Sequence, residues 1–121
     1  MLPREHRLVR SSDFARVRRL GRSAGTSLAV LYVLPTRNSE ARIGFSVSKR
    51  IGKATRRNRV KRLLREAVRQ QLPRILPAQD MVFIARPPSA VASYAQVLDS
   101  VDYLLRKTSA CAVERRPARN A

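Results

Sequence analysis

Apolar positions along the chain alternate between helical and strand spacing, and the switches mark its elements. Residues 1–10 are polar and basic and read as an extended, mobile arm. Phe14, Val17 and Leu20 recur at helical spacing with Arg16, Arg18 and Arg19 between them, which predicts a short helix. Ser11, Ser12 or Asp13 can cap its start, and Gly21 can end it in a left-handed conformation. Residues 26–34 read as a strand, apolar on both faces in its second half and ended by Pro35. After a turn over residues 36–41, residues 42–48 alternate. Ile43, Phe45 and Val47 take the core face, and Arg42, Gly44, Ser46 and Ser48 take the other. An antiparallel hairpin of these two strands is expected.

A basic loop over residues 49–54 leads into the strongest helical pattern, residues 55–72, stopped by Pro73. Residues 80–86 form a third strand, ended by Pro87 and Pro88. Ser93 with Gln96 makes a capping box for a last helix with Val97, Leu98, Val101, Leu104 and Leu105 on its apolar face. Helix, strands, helix, strand, helix implies an α+β fold, one sheet with helices packed on it. There is no internal repeat. The length of 121 residues suits one domain, expected over 1–109, with a polar, disordered tail over 110–121.

Composition changes the picture through charge. Twenty-six Lys and Arg against eight Asp and Glu give a net charge of +18, an excess that repels itself and calls for a polyanion. Only Lys49, Lys53, Lys61 and Lys107 are lysines. Arginine grips phosphate bidentately and stacks on bases, which favours nucleic acid over an anionic membrane. The longest apolar run, residues 28–34, is too short to span a bilayer. The charged N-terminus has no apolar stretch behind it, so no secretory signal is expected. Cys111 and His6 are the only residues of their types, so neither an internal disulfide nor a Cys/His zinc site is available. Cys111 reads as an incidental small residue. A cytoplasmic location follows as the expectation.

The charge concentrates in residues 49–69, where ten residues are basic and Glu66 alone is acidic. On a helix, Val60, Leu63, Leu64, Ala67 and Val68 form a core-facing stripe. Asn58, Arg62, Arg65 and Arg69 fall opposite, flanked by Arg59 and Lys61, along about 16 Å. Unrelieved like charge at these spacings costs helix stability, so the stripe reads as a phosphate-binding face rather than a merely solvated one. Lys49, Arg50 and Lys53 precede the helix N-terminus, where backbone N–H groups and Gly52 favour a phosphate.

The run Arg57-Asn58-Arg59-Val60-Lys61-Arg62-Leu63-Leu64-Arg65, following a strand and a basic loop, resembles the signature of the bacterial ribonuclease P protein family. The resemblance extends to Arg7-Leu8, to Asp13-Phe14 and to residues 80–86, and covers roughly residues 4–107. It implies a two-layer α/β sandwich on a mixed four-stranded sheet, like the second domain of a small-subunit ribosomal protein, with a left-handed βαβ crossover. Only three strands are legible; splitting residues 22–34 would supply a fourth. It also implies a subunit of the ribonucleoprotein endonuclease that removes 5′ leaders from precursor tRNA, with catalysis by the RNA and its Mg²⁺. The expected partners are ribonuclease P RNA and precursor tRNA, with no membrane and no small-molecule substrate. Lys49, Arg50, Lys53, Arg56, Arg57, Asn58, Arg59, Lys61, Arg62, Arg65 and Arg69 would contact the catalytic RNA. Phe14, Tyr32 and Ser46 would line a leader-binding cleft between the first helix and the sheet. From the residues alone Phe14 reads as a plain core position on an amphipathic helix, and alternation does not settle which side Tyr32 faces; the cleft role comes from the resemblance. Arg18 stands where many relatives carry a second cleft aromatic, so charge would replace part of the stacking there.

No catalytic set is visible. Asp13, Glu40, Glu66, Asp80, Asp99, Asp102 and Glu114 show no paired arrangement, which argues against a stand-alone nuclease. Asp99 and Asp102, at i and i+3, read as solvent-facing charges. A structural RNA-binding protein, such as a ribosomal one, shares the charge and size but does not require the Arg-Asn-Arg helix. A helix-turn-helix DNA binder needs two helices at a short turn, whereas the basic helix here lies between strands.

Overall fold

The computed structural model describes residues 2–111. Four strands, β1 (Arg22–Gly25), β2 (Ala29–Pro35), β3 (Arg42–Ser46) and β4 (Gln79–Ala85), form one sheet in the order β1-β2-β4-β3. Three helices, α1 (Ser11–Leu20), α2 (Ala54–Gln71) and α3 (Tyr94–Lys107), pack on it. β1–β2 and β2–β4 are antiparallel, and β3–β4 are parallel, joined through α2. The α+β architecture and the mixed four-stranded sheet agree with expectation.

The hairpin of the second and third strands does not form, because β4 lies between them. β4 is buried on both faces from Gln79 to Phe83, and a strand apolar on both sides belongs in the centre of a sheet. β3 carries Arg42, Gly44 and Ser46 on one face and takes the edge. The hairpin that does form is β1–β2. Thr26 closes it: its N–H donates to Ala29 C=O at 2.8 Å, and its hydroxyl accepts from the N–H groups of Leu28 and Ala29. Residues 22–34 therefore split, and residues 26–28 are a turn rather than the start of a strand.

The two faces of the sheet bury different things. Leu31, Val33, Ile43, Met81 and Phe83 face α2 and α3, meeting Val60, Leu64, Val68, Val101 and Leu104 in the main core. Phe45 stacks on Phe83 with ring centroids 5.8 Å apart. The opposite face meets α1 in a smaller cluster of Leu8, Val17 and Val82, with Phe14, Tyr32, Leu34 and Ile84 partly buried around it. The capping box at Ser93 and Gln96 is present with both hydrogen bonds.

Other local expectations are corrected. Arg10, not Ser11 to Asp13, is the N-cap of α1, and it makes no side-chain cap bond. Gly21 ends that helix in an extended conformation, φ −80°. Leu20 is 58% exposed, because α1 meets the sheet only through the turn carrying Phe14 and Val17. The N-terminal arm is docked rather than loose. Leu2 and Leu8 are buried, Arg7 bridges to Ile43 of β3, and His6 Nδ1 lies 2.7 Å from the carbonyl of Ala41. At the other end Ala110 and Cys111 are buried, and Cys111 pairs with Ile75. Both extend the fold beyond residue 109, and Cys111 is a packed position, not an incidental one. The rest of the expected tail, residues 112–121, lies outside the described residues.

Candidate nucleic-acid interface

α2 carries the first surface. Its buried stripe (Val60, Leu64, Ala67, Val68) seats it on the sheet and turns Asn58, Arg62 and Arg69 outward, all exposed. The preceding segment adds Lys49, Arg50 and Lys53, also exposed, with Arg56 on the first turn of the helix. A short 3-10 turn, Lys49–Ile51, positions them. Ser48 caps it by accepting from Arg50 N–H, Ile51 is buried beneath it, and Gly52 leaves it with φ +139°, a region side chains other than hydrogen avoid.

Not every basic residue predicted for this surface is available to it. Arg59 turns toward the segment that precedes α3 and donates to the carbonyls of Ala92 at 3.0 Å and Ala90 at 3.4 Å, tying α2 to the 3-10 turn Pro87–Val91 and its C-cap. Arg57 donates to the Gly52 carbonyl at 3.2 Å. Arg69 is engaged by Glu66 at 2.9 Å. The carboxylate's hydrogen bond raises the pKa of the Arg69 guanidinium, and Glu66 is correspondingly held below its usual range. Lys61 and Arg65 are half-buried on the flank facing β3. The outward residues that remain are Lys49, Arg50, Lys53, Arg56, Asn58 and Arg62.

The second surface lies between α1 and the sheet. Strand register places three rows across its floor: Leu34–Asp80–Arg42, Tyr32–Val82–Gly44 and Val30–Ile84–Ser46. The Phe14 ring lies directly over Gly44, where an added Cβ would sit 2.2 Å from its Cζ. Gly44 therefore allows the tip of the aromatic ring to come down onto the strand. Phe14, Arg18 and Ser46 line one open recess with Val9, Ser11 and Ala15. Tyr32 sits on the same face, two strands across from Gly44, and packs in the α1 cluster rather than lining the recess.

The first row anchors α1. Asp80 is wholly buried on the α1 face. Arg42 grips it bidentately, Nε at 2.9 Å and the second terminal nitrogen at 2.8 Å, and Arg16 of α1 reaches it at 3.3 Å. Asp13 stands 3.9 Å from Arg42. The Asp80 hydrogen bond raises the Arg42 pKa above its ordinary value. Sequence reasoning missed this cluster, although a carboxylate inside an otherwise apolar strand was the available signal. Asp102 was also misjudged: it is ion-paired with Arg74 and Arg106 at 3.1 Å each. Asp99 is exposed, as expected.

Among the described residues, no three His, Cys, Asp or Glu side chains gather to hold a metal ion. No described helix is long and apolar enough to cross a membrane. What the two surfaces offer is electrostatic and stacking contact: a basic helix face beside an aromatic-floored recess, on a chain of net charge +18. These features define a small basic α+β protein built to bind RNA.

The family model described as Ribonuclease P matches residues 2–109, and the chain belongs to the ribonuclease P protein component family. The ribonuclease P protein component of Chloroflexus aurantiacus is 44% identical over 105 residues, covering 86% of this chain and 78% of the relative. That of Clostridioides difficile is 40% identical over 102 residues, covering 84% and 90%. The solved RNase P protein of Staphylococcus aureus superposes with a TM-score of 0.81 at 30% identity, over 88% of this chain and 97% of that one. The Thermotoga maritima protein gives 0.74 at 28% identity, over 83% and 96%. The chain's role is that of the protein subunit of a ribonucleoprotein endoribonuclease in tRNA processing, with ribonuclease P RNA and precursor tRNA as its partners.

Proposed function

We propose that the subunit divides its two surfaces between its two RNA partners. The outer face of α2, with Lys49, Arg50, Lys53, Arg56, Asn58 and Arg62, contacts the catalytic RNA. Lys61, Arg65 and Arg69 add charge at its margins, while Arg57 and Arg59 hold the helix in place. The recess of Phe14, Arg18 and Ser46, with Tyr32 further along the same floor, takes the single-stranded 5′ leader. The observation that carries this division is the Phe14 ring lying on Gly44 at the mouth of an open basic recess. An aromatic face there stacks on any unpaired base, which suits a leader of variable sequence. Arg18 adds a guanidinium that can pair with phosphate or stack.

Removal of the leader breaks one phosphodiester bond by attack of water. Mg²⁺ held by the RNA subunit supplies that chemistry, and the protein contributes affinity, leader discrimination and charge neutralisation. The domain, which Ala110 and Cys111 carry past the expected boundary at residue 109, acts as one RNA-binding unit in the cytoplasm. The test is binding of precursor and mature tRNA to the reconstituted complex. Phe14→Ala is expected to weaken precursor binding by about tenfold, the worth of one base–aromatic stack, and to leave mature tRNA binding unchanged. Equal loss on both substrates would remove the leader from the recess.

A further inference from the structure

The outer edge of β3 carries a second cavity that the two surfaces leave unexplained. It measures about 460 Å³ and lies among the N-terminal arm, Phe14, the β3 backbone at Gly44 and Phe45, and the flank of α2.

Its hydrogen-bonding groups come from the strand edge. Leu8 N–H donates to Ile43 C=O at 3.0 Å, so the odd-numbered residues of β3 turn their backbone groups away from β4. The arm leaves the edge there, and Val9 is 77% exposed. The next outward pair, the N–H and C=O of Phe45, meets no hydrogen-bonding partner among the described residues and opens on the cavity. The Phe45 side chain, stacked on Phe83 in the core, fixes that backbone in place.

Its charge comes from α2. Lys61 and Arg65 stand one helical turn apart, half-buried at the cavity wall. Neither makes an ion pair or a hydrogen bond among the described residues. Two partly desolvated cations side by side oppose each other, and an anion between them relieves the repulsion. Phe14 and Val9 supply an apolar wall. A donor beside an acceptor, two cations and an apolar wall match the base edge, phosphate and base face of an unpaired ribonucleotide. A protein strand added to the edge would satisfy Phe45 and leave both cations unpaired. The volume is within the range of small-ligand sites.

We propose that this cavity is a single-nucleotide site. The base edge pairs with the Phe45 backbone, the base face rests on Phe14 and Val9, and the phosphate lies between Lys61 and Arg65. The site shares Val9 and Phe14 with the leader recess and so joins that recess to α2. The inference rests on the RNA-binding reading, and the nucleotide comes from either the leader or the catalytic RNA.

The first test is titration of the ¹⁵N-labelled full chain with adenosine and uridine 5′-monophosphates and with inorganic phosphate, followed by NMR. Either nucleotide is expected to shift the Phe45 amide, which inorganic phosphate leaves in place, and Lys61→Ala to weaken that binding about tenfold. A silent Phe45 amide, or one that phosphate moves equally, would overturn the proposal. The second test places a benzophenone on Val9→Cys in the complex with precursor tRNA; Cys111 is 3% exposed and escapes labelling. Val9 also borders the leader recess, so the site is supported by cross-links to the leader or to the catalytic RNA that Lys61→Ala removes, which identify its source; cross-links to neither, or cross-links that Lys61→Ala leaves intact, overturn it. If the complex cleaves precursor while Phe45 stays silent, only the nucleotide site fails; if it does not cleave, the RNA-binding reading itself fails.

Discussion

Replacing Gly44 by alanine puts a methyl carbon 2.2 Å from Cζ of Phe14 and 2.7 and 2.9 Å from the two ring carbons beside it. Carbon atoms rest at about 3.5–4.0 Å, so the ring must retreat by roughly 1.5 Å. α1 cannot follow freely, because Val17 is wholly buried and Arg16 is held by Asp80. The clash is therefore absorbed by Phe14 leaving its place over the strand, at the ~1–3 kcal/mol typical of overpacking. Urea denaturation should show the midpoint falling by about 1 M with an unchanged slope. Precursor tRNA affinity should fall with it, and mature tRNA affinity should not. In a Phe14→Ala background the clash is gone, and Gly44→Ala should cost within ~0.5 kcal/mol of nothing. An equal cost in both backgrounds, or no cost in the wild-type background, would refute the claim that Gly44 exists to seat this ring.

Arg59→Ala should cost about 1–2 kcal/mol in stability through the lost bonds to the Ala90 and Ala92 carbonyls, and leave the salt dependence of RNA binding nearly unchanged. Arg62→Ala should do the reverse, lowering the slope of log K against log salt by just under one per lost phosphate contact with stability intact; fluorescence binding at several salt concentrations and thermal melts separate the two. Asp80→Asn leaves the partly exposed Arg42 and Arg16 without their carboxylate and should destabilise the fold by ~1–3 kcal/mol in urea. Burial pushes the Asp102 carboxyl up, but hydrogen bonds from Arg74 and Arg106 outweigh it and hold the pKa below its ordinary value. Asp102 thus stabilises the fold above its unfolded pKa, and that contribution is lost as pH falls through the folded one. Asp102→Asn should accordingly flatten the acid limb of a stability-against-pH curve below about pH 4 and be most costly at neutral pH.

The parts of the fold legible in the sequence are those set by local spacing. The Val60-to-Val68 stripe defines α2 and its outward face, and Ser93 with Gln96 starts α3. Alternation in β3 places Ile43 and Phe45 toward one layer and Gly44 and Ser46 toward the other. Strand order was not legible, because α2 and α3, the neighbours of β4 in sequence, cover only one of its faces, and the other is covered by α1 near the N-terminus. β1 was hidden because four residues with two exposed polar side chains carry almost no apolar signal. The site was legible as chemistry and less so as geometry. The Arg-Asn-Arg helix stands out by charge, but sequence spacing does not reveal that Arg59 bends inward to backbone carbonyls or that Lys61 and Arg65 flank the β3 edge. The Asp80 anchor was hidden for a related reason: its partners, Arg16 and Arg42, lie 64 and 38 residues away.

The most direct test of the central claim is reconstitution with a bacterial ribonuclease P RNA at low Mg²⁺, following a precursor tRNA that carries a 5′ leader. Cleavage at the mature 5′ end only when protein and RNA are both present is the predicted result. Binding without any stimulation of cleavage, or cleavage by the protein alone, would contradict it.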